Sequence, residues 1–294
     1  MTIVDAVLVY STIDAITPIL LAALAGMLCQ RAGVFNIALE GLMLAGAFGA
    51  VAGSWYANNA ELGVASAVAF SASLAIVLAV ATLFGGNVIV LGIAVNVLAS
   101  GMTVFLLRLL FGRQGVFSDP ALPGLAPISV PGFDRIGNLG AVIGGHTWIV
   151  YLSWLLVPTS AVLLFQTPVG LRLRGVGEQP DAAATLGVNV RRYRCLAILA
   201  SGVLCGLAGA QLSLGSVTLF SENMSAGRGW IAVVAVMLGR ARPAGVLLSC
   251  IAFGIADAIG LRLQGQGLPN QLTDAAPYVI TLIALFLTFR KAPA

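Results

Sequence analysis

Very few residues of this chain have side chains suited to catalysis or metal binding. The only histidine is His146, and the only lysine, Lys291, lies in the C-terminal stretch RKAPA. A phosphate-binding loop needs its lysine between glycines and a serine or threonine, which excludes Lys291. A lone histidine favours neither a His-based zinc site nor a Ser-His-Asp triad. The sequence therefore predicts no catalytic residues, no metal site and no bound cofactor.

The four cysteines also give no sign of redox or metal chemistry. They are scattered through apolar segments without CxxC spacing, which favours small buried side chains over a disulfide or a metal site. They are Cys29, Cys195, Cys205 and Cys250.

Four polar residues lie inside otherwise apolar runs. An ionisable group in mid-membrane costs roughly 2.5–3.5 kcal/mol on insertion scales, so by default it faces a cavity or a partner. Glu40 has a second interpretation, in which it holds helix ends together near the inner surface. The four residues are Asn36, Glu40, Asn96 and Asp257.

The most polar stretch is residues 172–194, RLRGVGEQPDAAATLGVNVRRYR, with seven charged side chains in a protein that is only 9% charged. Its middle predicts a short helix. Pro180 suits the first helical position because it lacks the N–H that would go unbonded there, and Gly187 suits the stop. Glu178 and Asp181 place negative charge at the helix N-terminus, where the helix dipole favours it.

This predicted helix has about seven residues and a length of roughly 10 Å at 1.5 Å per residue. Asn189 is then expected to cap the next helix. The alanines at 182–184 give the short helix a surface of small side chains. Such a helix is typical of a segment that enters a groove on another protein, and the alternative is a well-formed loop without a partner.

The elements that position these residues are membrane helices. Hydrophobic residues make up 59% of the chain, the mean hydropathy is +1.01, and soluble domains carry roughly 25% charged residues. A transmembrane helix needs roughly 20 apolar residues, and a re-entrant helix needs fewer. The segment 227–239 is short enough to be re-entrant. We expect an all-α polytopic membrane protein with about 8–10 transmembrane helices in a single domain, residues 1–294. The candidate spans are 10–29, 37–54, 62–85, 88–111, 148–165, 195–214, 227–239, 243–261 and 276–290.

Positive residues set the expected orientation. If loop 166–194 is cytoplasmic, ten arginine and lysine residues lie inside, while five, Arg228 among them, lie outside or near the outer boundary. This places the C-terminus inside, but it does not decide on which side of the membrane the N-terminus lies. The net charge of +4 comes from arginines near segment ends, which indicates topology rather than nucleic-acid binding. The N-terminal MTIVDAVLVY lacks a positive region, so no cleaved signal peptide is expected.

The outer loop 112–147 contains four prolines and cannot be one long helix. It either contacts a partner or serves as a plain connector. Two GxxxG pairs, Gly49 with Gly53 and Gly202 with Gly206, predict close helix packing. The segments IALEGLML (37–44) and IAVVAVML (231–238) suggest an inverted repeat of the kind found in transporters, although four matches among common membrane residues also arise by chance.

Several stretches resemble one known family. RAGVFNIALEGLMLAGAFGA resembles the N-terminal signature of ABC importer permeases of the ribose and branched-chain amino acid class. VGEQPDAAATLGVNVRRYR and the following LAILASGVLCGLAGAQLSLG resemble their cytoplasmic loop and next helix. FSENMSAGRGWIAVVAVMLGRARPAGVLLSCIAFGIADAIGLRLQ is similar to the shorter permease of nucleoside and simple-sugar importers that use a BMP-type binding lipoprotein. The resemblance spans residues 15–290, but GRARP (239–243) is more basic and less bulky than the family's pattern.

The resemblance implies a type II ABC importer-like permease in the bacterial cell (inner) membrane. Two permease chains, expected to be different, would form a path for a nucleoside or simple sugar. A cytoplasmic ABC ATPase would drive transport, and an extracytoplasmic lipoprotein would deliver the substrate. Because neutral solutes need hydrogen bonds and not a counter-charge, Asn96 suits this path, and Asn36, Glu40 and Asp257 are further candidates for lining it. Loop 166–194 becomes the coupling loop, with Gly177, Glu178, Gln179, Pro180, Asp181, Ala182, Ala183 and Gly187 docking on the ATPase.

Three alternatives remain open from the sequence. The first is a permease for another small solute, such as a branched-chain amino acid. The second is a proton-coupled secondary transporter in which Glu40 or Asp257 relays protons, although such a carrier needs no docking helix. The third is a membrane scaffold that transports nothing.

Overall fold

The computed structural model describes residues 6–128 and 144–264, with side chains described from residue 9 to residue 258 within these ranges. Nearly all of this part is helical. The candidate span 276–290, Arg135, Arg290 and Lys291 lie outside the described residues. The helices are α1 Ala6–Arg31, α2 Leu39–Ala57, α3 Ala60–Leu83, α4 Val88–Phe111, α5 Trp148–Gln166, α6 Pro168–Glu178, α7 Pro180–Thr185, α8 Val190–Ala210, α9 Arg228–Leu238 and α10 Pro243–Gln264.

A helix occupies each of the eight candidate spans that fall within the described residues. Five helices are long and apolar enough to cross a membrane: α1 from Val9, α3, α4, α5, and α8 continued by a π turn to Gly215. The prediction of an all-α polytopic membrane protein is therefore confirmed. The described part also contains one element that the sequence did not predict, a two-stranded ribbon.

Helices α1, α2, α3 and α8 pack against one another at the centre of the molecule. The membrane window of α1 is 78% buried, whereas that of α4 is only 22% buried. The exposed face of α4 carries large apolar side chains such as Val97 and Phe105. An apolar face of this kind suits contact with lipid or with a second membrane subunit.

Both predicted GxxxG pairs lie at tight helix crossings, as expected. A Cβ atom added to Gly206 would lie 2.7 Å from the Cα of Val68, so α8 contacts the backbone of α3. A Cβ added to Gly49 would lie 3.0 Å from the carbonyl oxygen of Ser66, at the crossing of α2 and α3. Any larger residue would force these helices apart.

The unpredicted ribbon lies in the outer connections. Strand β1 (Val116–Phe117) pairs antiparallel with β2 (Phe220–Ser221). The ring of Phe117 packs 4.1 Å from that of Phe111 and 5.3 Å from that of Trp55, measured between centroids. This aromatic contact fixes residues 112–128 of the outer loop on the ends of α2 and α4. The described part of the loop contains no long helix, as the prolines led us to expect.

Candidate translocation pathway and coupling surface

Two of the helices, α2 and α9, begin inside the helical layer rather than at its edge. The Gly41 N–H donates to the Asn96 side chain at 2.8 Å, at a point about 12 Å along α4 by helix rise. Helix α9 has 11 residues and is roughly 16 Å long, which is about half of the ~30 Å hydrocarbon thickness. This agrees with the re-entrant segment expected at 227–239. Broken helices of this kind line substrate paths in many transporters.

Asn36 organises the chain break before α2. Its Oδ1 atom accepts from the Ala38 N–H at 2.9 Å, and its Nδ2 atom donates to Ser201 Oγ at 2.9 Å. The Nδ2 atom also lies 3.7 Å from the sulfur of Cys29. Asn36 is 4% exposed. Its amide therefore joins α1, α2 and α8 from within the protein.

Asn96 bridges α4 to the same break. Besides accepting from Gly41, it donates from Nδ2 to the Ile37 carbonyl oxygen at 3.0 Å. Both ends of its amide are thus used by backbone groups that α2 leaves unbonded at its start. Asn96 is half-buried, so part of its side chain still reaches the surface of this chain.

Glu40 caps the N-terminus of α9. Its Oε1 accepts from the Gly227 N–H at 2.9 Å and its Oε2 from the Gly229 N–H at 2.7 Å. A carboxylate at a helix N-terminus is stabilised by the dipole and by charge-assisted hydrogen bonds. Glu40 therefore joins the starts of two broken helices, α2 and α9, which is the kind of contact that one sequence interpretation gave it.

Asp257, on α10, lies on the other side of the α9 N-terminus. Its Oδ2 atom is 4.0 Å from an Arg228 nitrogen, and both side chains are about a quarter exposed. The sequence placed Arg228 outside or near the outer boundary. In the structure Arg228 begins α9 immediately beside the Glu40 cap. Sequence analysis missed the pairing, although GRGW before a short span was the available signal.

The structure thus brings the four predicted pathway residues to one region. Asn36, Glu40 and Asn96 meet at the start of α2, and Asp257 joins them through Arg228 at the start of α9.

A second polar cluster, not predicted from the sequence, lies near the outer end of the helices. The Thr147 hydroxyl donates to the Gln211 Oε1 atom at 2.5 Å, and Gln211 Nε2 donates to Asp14 at 3.2 Å. His146 lies 3.8 Å from Asp14 and stacks on Tyr10 with the ring centroids 4.1 Å apart. His146 and Gln211 are almost fully buried. The glutamine within an apolar run was the only sequence signal.

The coupling loop has the short helix that its sequence predicts. Helix α7 begins at Pro180 and ends at Thr185, and Gly187 has a φ of +79°, the left-handed conformation expected at a helix stop. The Asn189 side chain accepts from the Arg192 N–H at 3.0 Å and so caps α8. Helix α6 precedes α7 and was not predicted. It begins at Pro168 after the capping residue Thr167.

The predicted docking residues do not all face outward. Glu178, Gln179, Asp181, Ala182 and Gly187 are exposed and Pro180 is half-exposed, but Ala183 is only 7% exposed because it packs against its own chain. Gly177 is pressed against the backbone of Arg31 and Gly33. Glu178 ends α6 instead of starting α7. Ala183 therefore lies at a packing position within the chain, and Gly177 lies half-buried at a close backbone contact.

Arg31 connects the coupling loop to α9. Its Nε atom donates to the Ala241 carbonyl oxygen at 2.7 Å, and its guanidinium lies 5.7 Å from the centre of the Phe165 ring at the end of α5. Arg240 and Ala241 have φ angles of +52° and +48° in the turn between α9 and α10. This turn is held by Arg31, whose backbone also contacts Gly177 of α6.

Comparison with known proteins agrees with this architecture. The family model of branched-chain amino acid transport system permease components matches residues 8–285. The guanosine ABC transporter permease protein NupQ of Bacillus subtilis is 34% identical, covering 96% of this chain and 90% of NupQ. The nucleoside ABC transporter permease protein NupC of Lactococcus lactis subsp. cremoris is also 34% identical, covering 99% of this chain and 93% of NupC.

Each of these bacteria has a second, more distant relative of this chain. They are the guanosine permease protein NupP and the nucleoside permease protein NupB, at 26% and 22% identity. The match covers 94% of this chain in both cases, but only 79% of NupP and 77% of NupB. Among solved structures, an inward-facing metal-chelate type ABC transporter has the same fold, with a TM-score of 0.56 at 18% identity over 94% of this chain and 85% of that chain.

Proposed function

Because the chain belongs to the family of branched-chain amino acid transport system permease components, we propose that it is the membrane permease of an ATP-driven importer for nucleosides or simple sugars. The substrate class is supported by NupQ and NupC, which are named for guanosine and nucleosides and match nearly the whole chain. Branched-chain amino acids, which name the family, are the second substrate class. Residues 1–294 form a single permease domain.

The observation that carries the coupling role is the exposure of α7. This helix lies between membrane helices, outside any candidate span, and presents Asp181 and Ala182 to solvent. The neighbouring Leu186 is 83% exposed, which is unusual for a leucine with no partner to cover it. The docking surface consists of Glu178, Gln179, Pro180, Asp181, Ala182 and Leu186, whereas Gly177, Ala183 and Gly187 shape it from within or at its edge.

The polar region at the starts of α2 and α9 borders the proposed path. Its charged groups have partners inside the chain, since Glu40 is bonded to two N–H groups and Asp257 faces Arg228. A neutral solute such as a nucleoside needs no counter-charge from this region. A proton relay through Glu40 is disfavoured, because both carboxylate oxygens already hold the helix end.

Transport requires partners. A second, different permease would complete the path, since B. subtilis and L. lactis each have two relatives of this chain. A cytoplasmic ABC ATPase would bind the docking surface and hydrolyse ATP. An extracytoplasmic binding lipoprotein would deliver the nucleoside to the outer loops, and the assembly would lie in the bacterial cell (inner) membrane.

Uptake in cells tests this proposal. The gene is deleted from its host, and uptake of radiolabelled guanosine, ribose and leucine is measured before and after complementation. We expect guanosine uptake to fall at least tenfold and to return on complementation. Loss of leucine uptake alone would place the chain among amino acid permeases, and unchanged uptake of all three would contradict the proposed substrate class.

A further inference from the structure

A groove of about 470 Å³ lies on the cytoplasmic side, between the start of α6 and the turn that joins α7 to α8. This phosphate groove, as we call it, has one polar and one apolar wall. Side chains that can donate hydrogen bonds line the polar wall: Arg172, Asn189, Arg192 and Tyr193. Val169 and Leu196 belong to the apolar wall.

The two arginines of the groove have no acidic partner. Arg172 and Arg192 are exposed, and the two ion pairs found among the described residues involve neither of them. None of the residues that line the groove is acidic. The side-chain Oδ1 atom of Asn189 accepts from the Arg192 N–H, so the other end of this amide, Nδ2, is the one that can donate to a ligand. The groove therefore combines two positive charges with donor groups, which suits an anion rich in oxygen atoms.

The apolar wall lies at the boundary of the membrane. Leu196 is 50% exposed and lies about 9 Å along α8 by helix rise. Val203 is 40% exposed and seven residues further on, so it shares that face of the helix. Val169 is 53% exposed and follows directly after the membrane helix α5. The apolar wall thus continues along α8 as a strip of exposed apolar side chains.

A positive groove with an apolar wall that leads into the bilayer fits one ligand class. Basic pockets at the cytoplasmic ends of membrane helices bind acidic lipid headgroups. We propose that the phosphate groove binds an anionic phospholipid of the inner leaflet, with its phosphate between Arg172 and Arg192 and its acyl chains along Leu196. The bound lipid would brace α6 against α8 beside the docking helix. This proposal goes beyond the transport function and depends only on the membrane placement of the chain.

An acidic edge of the ATPase is the competing occupant, and the structure favours the lipid. Leu186 belongs both to the docking surface and to the lining of the groove, but Val169 and Leu196 of the apolar wall lie beside the ends of the membrane helices α5 and α8, where acyl chains can reach them.

Native mass spectrometry of the full-length chain in detergent tests the proposal. Dioleoylphosphatidylglycerol and dioleoylphosphatidylcholine are titrated separately onto the wild type, onto Arg172→Gln and Arg192→Gln, and onto the double variant. We expect phosphatidylglycerol to bind about fivefold more weakly to each single variant and about 25-fold more weakly to the double variant. This follows from the binding free energy of about 1 kcal/mol that each basic residue contributes near a membrane surface. Choline-lipid binding should not change.

Arg191→Gln is the matched control. It removes the same charge from the adjacent position of the same helix, but Arg191 does not line the groove. An equal loss of phosphatidylglycerol binding in this control would mean general surface charge and would overturn the proposal. Displacement of the lipid by millimolar glycerol 3-phosphate would show that the apolar wall contributes nothing, and would also overturn it.

The same variants show whether the groove binds a lipid or the ATPase. If Arg172→Gln and Arg192→Gln lose ATPase co-purification while binding phosphatidylglycerol normally, the groove belongs to the ATPase interface and the proposal is wrong. Because lipid binding is measured on the isolated permease, the result does not depend on which solute is transported.

Discussion

At the scale of single residues, the Glu40 carboxylate connects two broken helices. Glu40→Gln replaces one of its two acceptor oxygens with an NH₂ group that cannot accept from a backbone N–H, and it removes the charge favoured at the α9 N-terminus. We expect a loss of about 2 kcal/mol in stability, seen as a lower melting temperature in detergent, together with reduced uptake. Glu61→Gln is the control, because Glu61 also lies in the first turn of a helix but is exposed. Equal melting temperatures for the two variants would contradict the capping role.

A comparable prediction follows from the hydrogen bonds that Asn96 of α4 makes to the start of α2. Asn96→Ala leaves the Gly41 N–H and the Ile37 carbonyl without their partner, and each unsatisfied buried group costs about 1–3 kcal/mol. We therefore expect a loss of stability as well as of transport, not of transport alone. Thr103→Ala on the same helix is the control, since the Thr103 hydroxyl bonds only to Ser100 of its own helix. Chemical denaturation in detergent compares the two, and similar midpoints would refute the bridge.

At the scale of elements, two adjacent positions of α7 allow a loss of ATPase docking to be distinguished from a loss of permease stability. Ala182→Arg places a long cation on the exposed face and should release the ATPase, measured by co-purification, while leaving the permease folded. Ala183→Arg places the same side chain at a position that is 7% exposed, where overpacking costs about 1–3 kcal/mol. We expect this variant to lower the permease's own melting temperature. If Ala182→Arg retains the ATPase and full uptake, α7 is not the docking helix.

The Arg31 link makes a prediction about coupling. Arg31→Gln removes the guanidinium that holds the α9–α10 turn at the Ala241 carbonyl, so motion of the coupling loop should no longer reach α9. We expect ATP hydrolysis by the reconstituted complex to persist while nucleoside uptake falls at least tenfold. Arg242→Gln, an exposed neighbour in the same turn, is the control and should transport normally. Parallel loss of hydrolysis and uptake in Arg31→Gln would mean failed assembly instead of lost coupling.

At the scale of the whole molecule, the weakly buried α4 and the two relatives in each bacterium predict a heteromeric path. Differently tagged copies of this chain should not co-purify with each other, whereas the second permease encoded in the same host should co-purify with this chain. Reconstituted vesicles should take up guanosine only when both permeases are present. Uptake by vesicles that contain this chain as the only permease would refute the heteromer.

The sequence by itself determined the features that depend on local signals. Apolar runs gave the membrane helices, because backbone groups in lipid must bond within their own segment. Pro180, Gly187 and Asn189 predicted the start of α7, the stop after it and the cap of α8, because each acts through its own backbone geometry. The glycine pairs predicted close crossings because residues without side chains let two helix backbones approach.

Only the tertiary structure decided which residues meet. Gly41 bonds to Asn96, 55 positions away, and Glu40 caps a helix that starts almost 190 positions later; no local pattern encodes such partners. Three adjacent alanines in a six-residue helix carry no periodicity, so the burial of Ala183 could not be read from them. The orientation of α7 is set by packing against distant segments, and the pairing of Asp257 with Arg228 likewise exists only once α9 and α10 lie side by side.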